Sequence, residues 1–426
     1  MSNTVVSVLG SPQPAFPFEI MEKILIDVDD IPQTLRECAL VNSFFRVVAQ
    51  KRIFSTVELV HYDQHSPHSP HNQSKFLDVI NSAPHLALRV RSLLIRYVQT
   101  SGMERAAFNE VNEPSDNVIS SILPLLTNVR SISLIADPFH SWGTLCPNVR
   151  SALISSFHSS SITHLQLDKI YGIPLFTILA GCKSLEGLSL FCAVADATWG
   201  FPPSNFELLH QQKPCLKYLE VKQVPSFDSF VLHLLDPYTS PVNVLHLQSL
   251  AIQARPGEGD TGIPRLIDAS HRTLKHLALH QGNRYYRIPI SAPTPLTHIP
   301  HLQRLDVSFI LMKPLDPPSR SWLSNLLETI PPTSELKELN LTIQIIQCLS
   351  ESGEAVSESD LRGWMSWADF AFDPASKQIN GLDLIQFIIP RIEKDMAQKL
   401  SLVFEEDKQL EPLRRKGVLR VNLASI

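Results

Sequence analysis

Leu185-Glu-Gly-Leu188-Ser-Leu190, Leu216-Lys-Tyr-Leu219-Glu-Val221, Leu247-Gln-Ser-Leu250-Ala-Ile252 and Leu274-Lys-His-Leu277-Ala-Leu279 are four copies of one pattern: aliphatic-x-x-aliphatic-x-aliphatic, with a polar second residue. Working outward, the pattern also begins at Val90, Val129 and Ile162 before them and at Leu302, Leu336 and Ile379 after them. Alternating aliphatics at the fourth and sixth positions mark a short strand with one face buried. About two such matches would arise by chance in a chain this rich in aliphatic residues. The excess signals a repeat.

Intervals of 23 to 43 residues between copies place the array near the leucine-rich repeats, whose units stack so that each buries the leucines of the next. The expected fold class is α/β, with a parallel strand ladder and variable helices and loops between strands. A regular leucine-rich repeat carries Asn or Cys three residues after the last aliphatic. Here that position holds Val98, Asp137, Ile170, Ala193, Val224, Arg255, Gly282, Ile310, Gln344 and Phe387, so there is no asparagine ladder. Proline-rich stretches around Pro202, Pro293, Pro317 and Pro331 argue against the uniform crossover helices of other parallel α/β folds.

A chain of 426 residues, 44% apolar and 19% charged, with 58 leucines, is folded rather than disordered. A net charge of -5 provides no field for phosphate backbones or anionic lipid, so neither nucleic acid nor membrane is an expected partner. Cys38, Cys146, Cys182, Cys192, Cys215 and Cys348 form no C-x-x-C pair and read as free thiols. With no apolar stretch of membrane-spanning length and no signal-like N-terminus, the expected setting is intracellular, cytoplasmic or nuclear. The sequons at Asn72 and Asn340 then read as chance.

The N-terminal segment has a different texture. Phe16-Pro-Phe-Glu-Ile-Met-Glu-Lys-Ile-Leu-Ile26 is followed by an acidic, proline-bearing link. Then comes Thr34-Leu-Arg-Glu-Cys-Ala-Leu-Val-Asn-Ser-Phe-Phe-Arg-Val-Val-Ala-Gln-Lys-Arg-Ile-Phe54. Apolar residues at helical spacing, Pro17 at a helix start and Asn42 or Ser43 as a cap predict three short helices. So many apolar residues exceed what roughly 40 residues can bury, so part of that surface must meet another domain or chain.

The order Phe16-Pro17-x-Glu19-Ile20, Ile24-Leu25, Leu40-Val41-Asn42-x-x-Phe45-Arg46-x-x-Ala49 and Phe54 resembles an F-box. It departs from the usual pattern with Phe16 for leucine, Asn42 for cysteine and Phe45 for tryptophan. The resemblance implies docking on a Skp-type adaptor, and through it on a cullin, with Pro17, Ile20, Ile24, Leu40, Val41 and Phe45 in the adaptor contact. The repeats in turn resemble the irregular leucine-rich repeats that follow F-boxes in fungal proteins. The expected layout is an F-box at 14–58, a polar His/Pro linker at 59–75, a leucine-rich-repeat-like solenoid at 76–349, an acidic loop and aromatic segment at 350–378, and C-terminal repeat units or a cap at 379–426.

Other constellations read as structural. His61, His65, His68 and His71 are separated by Pro67 and Pro70, which prevent a helix that would align them on a metal. Gly257-Glu-Gly-Asp-Thr-Gly262 is a formal G-x-G-x-x-G, but Pro264 follows at once and no acidic residue stands about twenty residues on, so a repeat loop is expected. Trp364, Trp367, Phe370 and Phe372 suit the end of a repeat stack or a partner anchor. No catalytic motif, cofactor motif or metal-ligand set stands out.

The expected function is a non-catalytic substrate receptor of a Skp/cullin/F-box ubiquitin ligase, holding an unknown target protein on its repeats. The rival is a leucine-rich-repeat scaffold in which residues 16 to 54 only cap the stack. Strand alternation puts the third, fifth and seventh template positions on the outer face. Of these, Phe191, Tyr218, His276 and Arg304 are the aromatic and cationic anchors expected to bind a target.

Overall fold

The computed structural model describes Ile20, Lys23 and residues 32–41, 43–62, 71–98, 114–195, 213–253, 261–280, 296–311, 326–331, 334–345, 382–392, 394–407 and 410–425. The chain divides into two units, Met1–Ile132 and Ser133–Ile426.

In the first unit, helices α1 (Pro32–Val41) and α2 (Ser43–Ile53) form a small core of their own. Pro32 opens α1, where its missing amide has no partner to lose. Leu35, Val48 and Ala49 are buried, and Cys38, Ala39, Phe45 and Ile53 pack against them. α2 runs almost directly into strand β1 (Thr56–Tyr62), which pairs in parallel with β2 (Ser92–Val98). Helices α3 (His71–Ser82), α4 (Pro84–Ala87) and α5 (Pro114–Ile122) complete the unit. The stretch read as a 59–75 linker is therefore part strand and part helix, and of it only residues 63–70 lie outside the described residues.

The second unit is built on a ladder of strands. In spatial order these are β3 (Ser131–Ser141), β4 (His164–Ile173), β5 (Gly187–Phe191), β7 (Tyr218–Lys222), β8 (Ser249–Gln253), β9 (His276–His280), β10 (Arg304–Leu311), β11 (Glu338–Ile345), β12 (Leu384–Ile392) and β13 (Leu419–Ser425), with the short β6 (Val194–Ala195) on β4. Along the ladder from β4 to β12 the pairings are parallel and in register, His164 to Gly187 to Tyr218 to Ser249 to His276 to Arg304 to Glu338 to Leu384. The fourth and sixth template residues of the nine copies from Val90 to Leu336 are all buried, as are the nine first residues.

Return segments include helices α6 (Pro147–Phe157), α7 (Leu175–Gly181), α8 (Phe227–Leu235), α9 (Gly262–Ser270), α10 (Lys394–Glu406) and α11 (Glu411–Arg415). Each buries one stripe: Val149, Leu153 and Phe157 on α6, and Phe227, Phe230, Val231 and Leu234 on α8, the spacing of a helix packed along one side. Cys182, at the end of α7, is buried, and its thiol donates to the carbonyls of Phe157 and Ile178. Burial pushes its pKa up to about 12, so it behaves as a small apolar residue.

One recurrent hydrogen bond sets the register. The carbonyl of the second template residue accepts two successive amides of the next repeat. Glu186 O takes Lys217 N and Tyr218 N at 2.7 and 3.0 Å, Lys217 O takes Gln248 N and Ser249 N at 2.8 and 3.0 Å, and Gln248 O takes Lys275 N and His276 N at 2.9 Å each. The same bond joins Lys275 to Gln303 and Arg304, Gln303 to Lys337 and Glu338, and Lys337 to Asp383 and Leu384.

This bond corrects the sequence reading at both ends. Asp383 is a second-position residue, so the last pattern copy starts at Leu382 and not at Ile379. Accordingly Ile385 and Phe387 are buried while Leu384 is only half-buried. Phe387 occupies the sixth position, not the ninth. At the other end, Ser55 O accepts Arg91 N and Ser92 N at 2.8 and 2.9 Å, which makes Phe54-Ser-Thr-Val57-Glu-Leu59 a further copy. Phenylalanine in its first position hides it from an aliphatic template. Strand β13 departs from the pattern: it pairs with β12 two residues out of the template frame, Ile385 with Leu419 and Phe387 with Val421, its Val418 carbonyl accepts the Ile385 amide at 2.7 Å, and Val421 and Leu423 are only half-buried.

In three successive copies the ninth position is apolar and buried, at Ile170, Ala193 and Val224. The residue before each, Lys169, Cys192 and Gln223, has a left-handed backbone with φ of 56°, 48° and 56°. The bend that asparagine stabilises in a regular repeat is here made by backbone conformation and closed by an aliphatic plug.

The corrected register is tested at the last copy. Ile385→Ala should cost about 2–5 kcal/mol in urea unfolding, the range for a fully buried aliphatic. Leu384→Ala should cost under about 1 kcal/mol. The reverse order would restore the Ile379 alignment.

Candidate target-binding face

Strand alternation lines up rows of outward side chains across the ladder. Tyr218, Ser249, His276, Arg304 and Glu338 share the third-position row. Phe191 is elsewhere: it stands in the seventh-position row between Asp168 and Lys222, about 13 Å along the strands from the Tyr218 row. Of the four anchors expected from sequence, three are brought onto one row and the fourth is separated from them. Lys222 Nζ lies 5.0 Å over the Phe191 ring and 2.6 Å from Glu220. Phe191 is thus tied to its neighbours rather than presented alone.

Gly187 shapes the start of the row. A Cβ there would meet the His164 ring at 2.5 Å, so the missing side chain leaves room for that imidazole. His164 and Tyr218 then face each other across the glycine, with ring centroids 6.2 Å apart and planes 29° apart. Tyr218 remains 46% exposed.

The densest chemistry is at Asp306, the fifth-position residue of β10. Its carboxylate accepts from His276 Nε2 at 2.7 Å, from Arg304 Nε at 2.9 and 3.1 Å, and from Asn340 Nδ2 at 2.6 Å. His276 Nδ1 meets the Ser249 hydroxyl at 3.0 Å, so one chain of hydrogen bonds crosses β8 to β11. Burial alone would raise the Asp306 pKa, but the hydrogen bonds from His276, Arg304 and Asn340 outweigh it and hold the group at about 2. Asn340 is 5% exposed, and its Oδ1 is buried with no hydrogen-bond partner among the described residues. A sequon asparagine fixed in this way cannot carry a glycan in the folded chain. On β9, His280 is held below the ordinary histidine value, first by burial and then by Lys222.

Hydroxyl, imidazole and carboxylate in this order also form the relay of acyl transfer. Here Asp306 is shared with Arg304 and Asn340, and the amides of β8 to β10 are committed to the ladder, so these strands themselves offer no amide pair to an oxyanion. The arrangement suits fixing side chains in place.

The glycine motif at 257–262 resolves differently from its sequence reading. Gly257 and Gly259 lie outside the described residues, but helix α9 does begin at Gly262 and contains Pro264. The Gly262 amide donates to Asp228 Oδ1 at 2.7 Å. A carboxylate from α8 therefore already occupies the helix N-terminus where a phosphate would sit. A Cβ at Gly262 would also meet Asp228 at 2.6 Å and Phe227 at 2.9 Å, so the glycine serves packing between successive repeats.

Of the residues expected in the adaptor contact, Leu40 and Val41 are 80% and 68% exposed and Ile20 is exposed, while Phe45 is half-buried against the α1–α2 core. Pro17 and Ile24 lie outside the described residues, as do His65, His68 and the 364–372 aromatic cluster. His61 is in β1 with its ring 4.9 Å from Tyr97, and His71 opens α3. Among the described residues there is no group of three or more His, Cys, Asp or Glu that could hold a metal, and no helix long and apolar enough to cross a membrane.

The Asp306 cluster was within reach of the sequence. Aligning the third and fifth positions of three copies sets Arg304 and Asp306 beside His276 and Asn340. What periodicity does not reveal is which of the adjacent charges bond.

Compared with known proteins, the chain matches no family model, and a search of curated proteins gives no match.

Because the folded-state pKa of Asp306 is depressed, its hydrogen bonds contribute stability that is present above about pH 4 and is lost as pH falls toward 2. Asp306→Asn should lower the urea midpoint at pH 7 and flatten its fall between about pH 4 and pH 2. Parallel curves for mutant and wild type would show that the carboxylate is not held this way.

Proposed function

We propose that this chain is the substrate-receptor subunit of a Skp/cullin/F-box ubiquitin ligase, its N-terminal helices docking on a Skp-type adaptor and its irregular leucine-rich repeats holding a target protein. The observation that carries the reading is the exposure of Leu40 and Val41. The α1–α2 pair has its own core in Leu35, Val48 and Ala49 and still leaves two adjacent aliphatic side chains in water, with Ile20 and Val47 also exposed. Apolar surface concentrated on so small a module marks a docking site. In this reading the chain performs no chemistry of its own, and its effect on ubiquitin transfer is proximity.

The outward face of the ladder supports the second half of the proposal. It mixes both charge signs with Tyr218, His276 and Arg304 on a rigid strand scaffold, a composition suited to a protein partner. The rival, a repeat scaffold capped by its N-terminal helices, is favoured by the short passage from α2 into β1, with Ser55 already bonded to Arg91 and Ser92.

The two readings separate on a surface substitution. Leu40→Asp combined with Val41→Asp should abolish co-purification with a Skp-type adaptor while the unfolding midpoint stays within about 0.5 kcal/mol of wild type, since both side chains already face water. A double mutant that binds the adaptor normally rules out docking through these residues. One that unfolds the chain establishes the capping role instead.

A further inference from the structure

On β9, β10 and β11 the second and third template positions read Lys275-His276, Gln303-Arg304 and Lys337-Glu338. Lys275 O binds the amides of Gln303 and Arg304 at 2.8 and 3.0 Å, and Gln303 O binds those of Lys337 and Glu338 at 2.9 and 3.1 Å. Lys275, Arg304 and Lys337 are thereby fixed on three neighbouring strands, and all three are exposed. Neither lysine is ion-paired among the described residues. The nearby acids are mostly engaged: Glu335 meets His301 at 3.3 Å, and Asp306 is saturated by His276, Arg304 and Asn340. Glu338 remains, 3.9 Å from Arg304 Nη1.

The clamp on Arg304 has a direction. Its Nε donates to the Asp306 carboxylate, and of its two Nη atoms Nη1 lies 3.9 Å from Glu338, a distance at which a second, planar acceptor can compete for the Nη donors. An arginine fixed in this way loses little conformational freedom on binding. Tyr218, exposed on the same row, is three strands away, or about 14 Å at ordinary strand spacing. An extended peptide lying across the strands covers that distance in about four residues.

Building on the target-receptor reading, we infer that the third-position row of β7 to β10 binds an acidic peptide segment of its target, with a carboxylate or phosphate on Arg304 and an apolar or aromatic side chain about four residues away on Tyr218. Lys275 and Lys337 flank the anion, and Ser249 and His276 line the path between the two anchors. Asp306 is a positioning residue: it touches no ligand and sets the orientation of Arg304.

The test uses the full chain and fluorescein-labelled ten-residue peptides in a Gly/Ser background, read by fluorescence anisotropy. One peptide carries Trp and Glu four residues apart, a second has Gln for Glu, a third has phosphoserine for Glu, and a fourth sets Trp and Glu adjacent. The Glu or phosphoserine peptide should bind at least about tenfold more tightly than its Gln and adjacent-spacing counterparts. The better of the two identifies the source of the anion. Arg304→Ala should remove the discrimination between Glu and Gln, and Tyr218→Ala the preference for spacing. Asp306→Asn, which leaves the arginine in the chain, should reduce Glu-peptide affinity about tenfold, and Asp306→Glu should restore part of it.

Equal binding of the Glu, phosphoserine and Gln peptides, no binding of any of them, or full discrimination by Arg304→Ala overturns the inference. So does equal competition by a single-stranded oligonucleotide of matched charge, which would make the patch a non-specific anion site. Partners captured by the full chain separate this failure from that of the underlying reading. If Arg304→Ala loses specific partners although the peptides show no discrimination, the face binds targets by other contacts. If capture is also unchanged, the target-face assignment falls as well.

Discussion

A single carbonyl per repeat, that of the second template residue, accepts two successive amides from the next repeat, and the ladder depends on that bond. It fixes where each strand starts relative to its neighbour, so the fourth and sixth residues of successive copies fall on one buried row after another. A slip of one residue would send Leu219 and Val221, or Leu250 and Ile252, to the outer face. The bond also explains the polar second residue of the copies. Its backbone is tied into the ladder while its side chain is exposed, as in Lys275 or Lys337, or pairs with its neighbour, as Lys217 does with Glu186.

Register on the inside dictates chemistry on the outside. Once Leu277, Leu305 and Leu339 align in the core, His276, Arg304 and Glu338 have no choice but to stand side by side, with Asp306 and Asn340 in the row behind them. The half-buried carboxylate at Asp306 would be costly if left unpaired. Three donors from three different strands offset that cost, so the same bonds that stabilise the acid also orient the side chains around it. Gly187 acts by the opposite means: an omitted side chain admits the His164 ring.

How much of this was legible in the sequence follows from the kind of signal each feature leaves. Buried leucines at fixed spacing are a periodic signal, and nine copies were aligned correctly from it. The copy at Phe54 escapes the template because an aromatic can fill the first position as well as a leucine. The Ile379 alignment went wrong for a subtler reason: Ile379, Leu382 and Leu384 satisfy the template by residue type, and only the carbonyl of Lys337, paired to Asp383 and Leu384, decides between it and the Leu382 frame. Contacts between repeats, such as Asp228 on the Gly262 amide, leave no local pattern at all. They join residues 34 positions apart whose separation depends on the length of an irregular return segment.

The two halves of the proposed function place different demands on rigidity, and the residues reflect it. A face that selects a target by orientation needs side chains immobilised before binding, and Arg304, clamped by Asp306 and flanked by backbone-locked neighbours, meets that demand. A docking module needs apolar surface that its own fold can leave in water without collapsing. Leu40 and Val41 meet it because they close α1 on the side away from Leu35, while Phe45 turns inward to help hold α1 and α2 together. Of the six residues in the proposed adaptor contact, Phe45 therefore has a second task, and a substitution there acts on the stability of the helix pair as well as on its surface. A lost interaction traced to Phe45 alone would not distinguish docking from folding, whereas one traced to Leu40 and Val41 would.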